Sequence, residues 1–353
     1  SVQGVDAVAW STPVPAGLLN SSNTYRVVVA AQDWSSNLQL NPEAAGAGAA
    51  FRYDTEISTA VVTFPAWNQY YNAGSLANMA GTASDAGAGN SGLKKVQVLL
   101  KNEVTERVWK GSNVNGGDFN DNWDASNPGK YQNWLDAAAP LTAWNTAFPL
   151  LPAPVLDSRR YRIWVYAEDN AGNATPKPTN TQIDDDKNAD GSAARQFSYD
   201  NSAPDSRVTA PAANANGAVT QIAGTSADAF PTFEPSGVNQ MKLRIRRSNG
   251  DWFSLAANDW SGVQQSFASD QWNAVVTPWA FTVPANKFED GYRFEVNPQA
   301  SDAALNVENA YSTYTFVVDR SSPLAKVGLP ADGSWIASLT TLTGTAEDRY
   351  CQI

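Results

Sequence analysis

The sequence predicts an all-β protein, a run of antiparallel β-sandwiches arranged end to end, and three observations predict it. Strand-like segments recur in a fixed order along the chain. Two landmarks within that order keep the same spacing in consecutive copies. The composition suits strands, with 42% hydrophobic and 17% charged residues and 13 Trp, 12 Tyr and 13 Phe among 353 residues. Aromatic and β-branched side chains favour a pleated, half-buried surface, and a chain of this length exceeds one ordinary sandwich.

Taken in order, the first recognisable strand is YRVVVAAQDWSSN (Tyr25 to Asn37), in which Tyr, Val and Ala alternate with outward residues before a polar turn. That period of two marks a half-buried strand. FRYD (Phe51 to Asp54) reads as the closing strand of a domain. A short strand then opens on Gly-Thr and stops on Asp in AGTASD (Ala80 to Asp85), and KKVQVLL (Lys94 to Leu100) alternates and leads to Trp109. YRIWVYAEDNAGN (Tyr161 to Asn173) repeats the Tyr-led strand, and FSYD (Phe197 to Asp200) repeats the closing one.

The chain then passes Pro204 and Pro211, which suit a linker followed by a first edge strand. AGTSAD (Ala223 to Asp228), MKLRIRR (Met241 to Arg247) and Trp252 follow, with Asn249-Gly250 as a tight hairpin turn. The third Tyr-led copy, YRFEVNPQASDAA (Tyr292 to Ala304), departs from the pattern and puts Pro298 inside the strand end, which leaves the geometry there open. FVVD (Phe316 to Asp319) closes that copy, and Pro323, Pro330 and TGTAED (Thr343 to Asp348) open another.

Gly81 and Trp109 stand 28 residues apart, and so do Gly224 and Trp252. The closing aspartates set the domain period: Asp54 to Asp200 is 146 residues and Asp200 to Asp319 is 119. The expected domains are therefore 1–54, the closing part of one unit; 55–200, complete; 201–319, complete; and 320–353, the opening part of another. The longer unit carries two insertions, since Trp109 to Trp144 is 35 against 27 for Trp252 to Trp279, and Tyr161 to Phe197 is 36 against 24 for Tyr292 to Phe316. With both ends falling inside a domain, the chain is expected to be a piece of a longer protein.

This order of Gly-Thr strand, alternating strand, Trp, Tyr-led strand with an Asp-Asn-Ala-Gly-Asn turn, closing Asp and Pro resembles the bacterial immunoglobulin-like repeats. These are similar in architecture to fibronectin type III and cadherin domains and occur in arrays within large surface or extracellular proteins. The resemblance implies an all-β chain of tandem immunoglobulin-like antiparallel β-sandwiches on the cell surface or outside the cell. It implies a non-catalytic structural segment, a stalk, sheath or filament, with other copies or neighbouring repeats as partners. The alternative is a glycan-binding adhesin module, with a cell-surface glycan or protein as partner.

Composition excludes several classes. Without any His the chain lacks the commonest general base and the commonest transition-metal ligand, so no catalytic residue is assigned. The single Cys351 cannot form an internal disulfide. A net charge of −11 opposes nucleic-acid binding, and no apolar run approaches a membrane span.

The candidate metal ligands are carboxylates, and Ca²⁺ is the cation they would take. In a sandwich of this topology the Asp ending the Gly-Thr strand and the Asp ending the Tyr-led strand lie in loops at one pole, where the chain enters from the preceding closing Asp. Two sets follow: Asp54, Asp85 and Asp169, then Asp200, Asp228 and Asp302. The alternative account leaves each Asp to cap its own turn. In the second insertion Asp186, Asn188, Asp190 and Gly191 fit half of a calcium loop, but Phe197 stands where the bidentate Glu belongs. In the first insertion Asp118, Asn120, Asp121 and Asn122 match a cadherin-linker string in letters, within a unit instead of between units. Trp109 with Trp252 and Trp144 with Trp279 read as core, whereas Trp123, Trp134, Trp260 and Trp272 lie in irregular connections and are the candidates for stacking on sugar.

Overall fold

The computed structural model describes residues 8–44, 48–87, 89–109, 131, 134–148, 159–228, 236–267 and 278–348. Cys351, Trp123, Trp272 and the run Asp118 to Asp124 lie outside the described residues. Two compact units are present: Ser1–Trp67 with Leu76–Leu150 and Tyr161–Phe197, and Asn68–Ser75 with Leu151–Arg160 and Ser198–Ile353.

The first described strands, β1 (Asn23–Val28) and β2 (Gly48–Tyr53), form an antiparallel pair in which Tyr25 faces Phe51 and the two rings stack at 5.7 Å. The first sandwich follows. One of its sheets has the order β3 (Thr59–Phe64), β5 (Asn78–Ser84), β9 (Asn145–Ala147). The other runs β4 (Tyr70–Tyr71), β11 (Arg195–Tyr199), β10 (Arg159–Asp169), β6 (Leu93–Asn102), β7 (Arg107–Val108), with β8 (Leu135–Asp136) also on β6.

The second sandwich repeats this plan. β12 (Asp205–Ala210), β14 (Gln221–Ala227) and β18 (Trp279–Thr282) make one sheet. The other has the order β13 (Asn214–Ala215), β20 (Tyr314–Val318), β19 (Arg293–Asp302), β15 (Val238–Arg247), β16 (Trp252–Ser254), β17 (Asp259–Ser261). All its ladders are antiparallel except the short parallel pair β13 and β20. Beyond it, β21 (Leu324–Leu329) pairs with β22 (Thr343–Glu347).

The period-two reading holds at the level of single side chains. β5 and β14 show the same alternation, burying Met79, Gly81 and Ala83 in one and Ile222, Gly224 and Ser226 in the other. Trp144 and Trp279 are fully buried over that strand, and removing an aromatic side chain from water contributes about 2–3 kcal/mol. Phe294, Phe316 and Phe288 extend the second core as a run of ring contacts at 4.6 to 6.0 Å.

Pro298 does not disrupt its strand. β19 continues through it to Asp302, and pairing with β20 ends earlier, at Val296 opposite Tyr314. Pro298 therefore sits where β19 has one strand neighbour, and its missing N–H is tolerated.

The second insertion builds a small core of its own outside the sheet. Thr179 closes a capping box at the start of α1 (Asn180–Asp184), and Ile183 and Ala194 pack on Trp164 and Leu99. The side chains of the acidic run are bonded to the protein itself. Asp186 pairs with the buried Lys101 ammonium at 3.0 Å and with Arg162 at 3.4 Å. Asn188 Nδ2 donates to Ser192 and Ala193, and Asp190 accepts from Ser192. Asn188 and Asp190 converge on Ser192, whereas Asp186 is drawn away by the buried Lys101 ammonium from β6.

Candidate metal centre

The two aspartate sets are each gathered. In Asp54, Asp85 and Asp169 one oxygen from each lies within 4.8 Å of the others, and Asp200, Asp228 and Asp302 do the same. Asp54 and Asp200 come from the entering chain, Asp85 and Asp228 follow β5 and β14, and Asp169 and Asp302 end β10 and β19.

Each carboxylate is aimed by its own short-range bonds. Asp54 Oδ1 caps the Glu56 N–H at 3.0 Å and Oδ2 accepts from the Ser91 N–H at 2.7 Å. Asp200 repeats this with Ser202 at 3.1 Å and Ser236 at 2.7 Å. Asp85 Oδ2 accepts from Gly92 N–H at 2.6 Å, as Asp228 Oδ2 does from Gly237. Asp169 is clasped at both oxygens by Asn173, through its backbone N–H at 2.8 Å and its amide at 2.9 Å. Asn306 clasps Asp302 in the same way at 2.8 and 2.8 Å. The Asn amides also donate to the main-chain carbonyls of Asp54 and Asp200, at 3.0 and 2.9 Å, so one residue ties the third carboxylate to the first.

Turn capping and convergence thus coexist. The turns use up several oxygens, yet among the described residues Asp85 Oδ1 and Asp228 Oδ1 are buried without a hydrogen-bond partner. A buried carboxylate oxygen left in this state is costly unless a cation meets it. Burial, then the carboxylates of Asp54 and Asp169, push Asp85 above its ordinary value, against the Gly92 N–H. Burial and the Asp200 carboxylate push Asp228 up to about 6. Asp302 is raised by burial too, whereas the Glu56 and Ser91 amides hold Asp54 below its usual range despite its burial. Three mutually repelling carboxylates with an unmet buried oxygen fit a hard, oxygen-seeking divalent ion, and Ca²⁺ accepts six to eight oxygens in flexible geometry.

Several of the residues that build these sets have only weak sequence signals. Ser91-Gly92 and Ser236-Gly237 supply amides, and Asn173 and Asn306 supply the clasp. The signal that finds the clasp is the Asp-x-x-x-Asn spacing, which also occurs at Asp33 and Asn37, where the same bonds form at 2.8 and 2.7 Å.

The candidate sugar platforms fare differently. Trp260 belongs to the second core, donating from its ring N–H to Lys287 at 2.7 Å and meeting Phe253 and Phe294 at 5.2 and 5.6 Å. Trp134 is half-buried, with the Lys177 ammonium 4.7 Å over its ring and Tyr166 against it at 6.2 Å. Both are half-buried.

No family profile matches the chain and no curated protein matches its sequence. Several solved structures resemble it in part. The fibronectin(III)-like modules of Clostridium thermocellum CbhA share 10% identity, covering 74% of this chain and 94% of theirs, with a TM-score of 0.31. The FN1–FN3 domains of chicken CNTN1 share 9%, covering 85% and 77%, with 0.33. A 1.5-MDa bacterial ice-binding adhesin shares 14%, covering 86% and 76%, with 0.30. The strand order defines the fold. A three-stranded sheet facing one in which the last strand, the Tyr-led strand and the alternating strand are neighbours is the immunoglobulin arrangement. By that order the chain is a tandem of immunoglobulin-like β-sandwiches.

Proposed function

We propose that this chain is a non-catalytic structural segment of a large extracellular or cell-surface repeat protein, in which Ca²⁺ at each aspartate triad fixes the entering chain to the sandwich that follows. The observation that carries this reading is the pair of gathered triads, each with a buried carboxylate oxygen, in the same position, that no described residue meets. A cation there would join Asp54 to the loops holding Asp85 and Asp169, and Asp200 to those holding Asp228 and Asp302. Oxygen-rich sites in extracellular modules bind Ca²⁺ at ~10⁻⁴–10⁻³ M, and a site of that kind supports the reading of an extracellular segment. A melting curve of the chain in EGTA and in millimolar Ca²⁺, with small-angle scattering under both conditions, tests the reading. A higher melting temperature and reduced conformational spread in Ca²⁺ are expected; identical curves and profiles would reject it.

A further inference from the structure

The first strand of each sandwich is an edge strand, and the two sandwiches treat that edge differently. In the second, the Ser206 backbone turns away from β14 and Glu308 closes it. Glu308 Oε1 accepts from the Ser206 N–H at 3.1 Å, and Oε2 accepts from the Ser206 hydroxyl at 2.5 Å and the Ala300 N–H at 2.9 Å. The Ser312 hydroxyl donates to the Ser206 carbonyl at 3.0 Å, and Glu308 is 3% exposed.

Ala60 holds the register of Ser206 in the first sandwich, pairing with Ala83 as Ser206 pairs with Ser226. The Val61 carbonyl faces β5, where it lies against Gly81, and the Val62 carbonyl accepts from Arg195 on the opposite side. Alternation turns Ala60 to that same outer side as Val62. Thr175 stands where Glu308 does: its N–H bonds Ala167 at 2.9 Å as the Glu308 N–H bonds Ala300 at 2.9 Å. Its short side chain reaches only the Ser58 carbonyl, at 2.7 Å. Among the described residues no hydrogen bond is made on the outer edge to the Ala60 N–H or carbonyl.

That edge borders a cleft of about 720 Å³, lined also by Thr175, Pro176 and Pro178. Val61, 56% exposed, and Trp67, 40% exposed, complete its apolar surface. The charged lining residues are Arg195 and Asp190, of opposite sign, and each is engaged, Arg195 with Val62 and Asp190 with Ser192.

We infer that this cleft takes an uncharged, extended peptide segment of a partner protein as an added strand on the Ala60 edge. Unpaired outward backbone groups recognise a backbone, and edge strands accept strands in this way. Charges on the walls cancel, which favours an uncharged segment. Because Pro176 and Pro178 line the same cleft as Ala60, a single extended chain fits better than the edge of another folded sandwich.

A random linear peptide library displayed on phage, panned on the full chain with and without EGTA, tests this independently of the proposed cation. Enriched peptides are synthesised with blocked ends and N-methylated at alternate residues. Methylation of one alternate set is expected to weaken binding about tenfold or more, the worth of one lost hydrogen bond, while the other set is tolerated. The double variant Ala60→Ser/Thr175→Glu, which rebuilds the closure of the second sandwich, is expected to lose binding to a similar degree. Absence of enriched peptides, or equal tolerance of methylation on both edges, would overturn the inference even if that variant fails to fold. So would a dimer in sedimentation that the double variant dissociates, since a second copy would then be the occupant.

Discussion

Gly224 lies beneath the Trp279 ring so closely that a Cβ built on it would stand 2.2 Å from the ring and 2.0 Å from the Arg207 carbonyl oxygen. Gly81 has the same relation to Trp144 and Val61, at 2.4 and 1.9 Å. The Gly-Thr step of the repeat is thereby explained: no other residue lets the indole lie on the strand. Gly224→Ala is expected to lower stability by about 1–3 kcal/mol through overpacking, whereas Gly217→Ala, with nothing within 4 Å, should be close to neutral. Chemical denaturation followed by Trp fluorescence checks both.

Asn306→Ala removes the amide that bonds the Asp302 carboxylate and the Asp200 carbonyl. With a charged acceptor involved, the expected loss is about 1.5–3 kcal/mol in EGTA, and the calcium-induced rise in melting temperature should shrink. Asn37→Ala breaks the matching clasp at an exposed site and should cost far less. Thermal melts of the two variants side by side separate a junction role from a turn role.

Glu308 bonds three donors from β12 and β19 while almost fully buried. Glu308→Ala leaves those donors unmet and is expected to cost about 3 kcal/mol or more, with Glu308→Gln retaining part of the loss. Hydrogen exchange at the Ser206 amide should rise in both.

Much of this was legible from periodicity. Strands bury alternate residues, so the Tyr-led, Gly-Thr and closing strands announced themselves, and their loop ends brought the six aspartates into two sets. Long-range partners were not legible. Asp186 fitted a calcium pattern in letters, but Lys101, 85 residues earlier in sequence, occupies its carboxylate. Trp260 reads as part of an irregular stretch, yet it lies on β17 and packs, half-buried, against the core. Glu308 reads as a surface residue until the Ser206 edge is seen, and the open edge at Ala60 is visible only by comparison with it.

In EGTA, Asp228 sits at about 6 against 3.8 for the ordinary carboxyl, through burial and then the Asp200 carboxylate. A carboxyl whose folded value is raised binds more protons folded than unfolded, so its penalty is absent below 3.8 and complete above about 6. Asp228→Asn is therefore expected to gain stability over the parent as pH rises through that window in EGTA, and to lose its advantage in Ca²⁺. Melting temperatures of both proteins across that range, with and without calcium, check the sign.

The central claim, that each triad holds a calcium ion, is tested most directly by equilibrium dialysis of the chain against Ca²⁺ up to ~10 mM. Two triads predict two saturable sites, one lost in Asp85→Asn and the other in Asp228→Asn, with neither substitution abolishing both. Binding that stays at background, or that survives unchanged in both variants, would contradict the account.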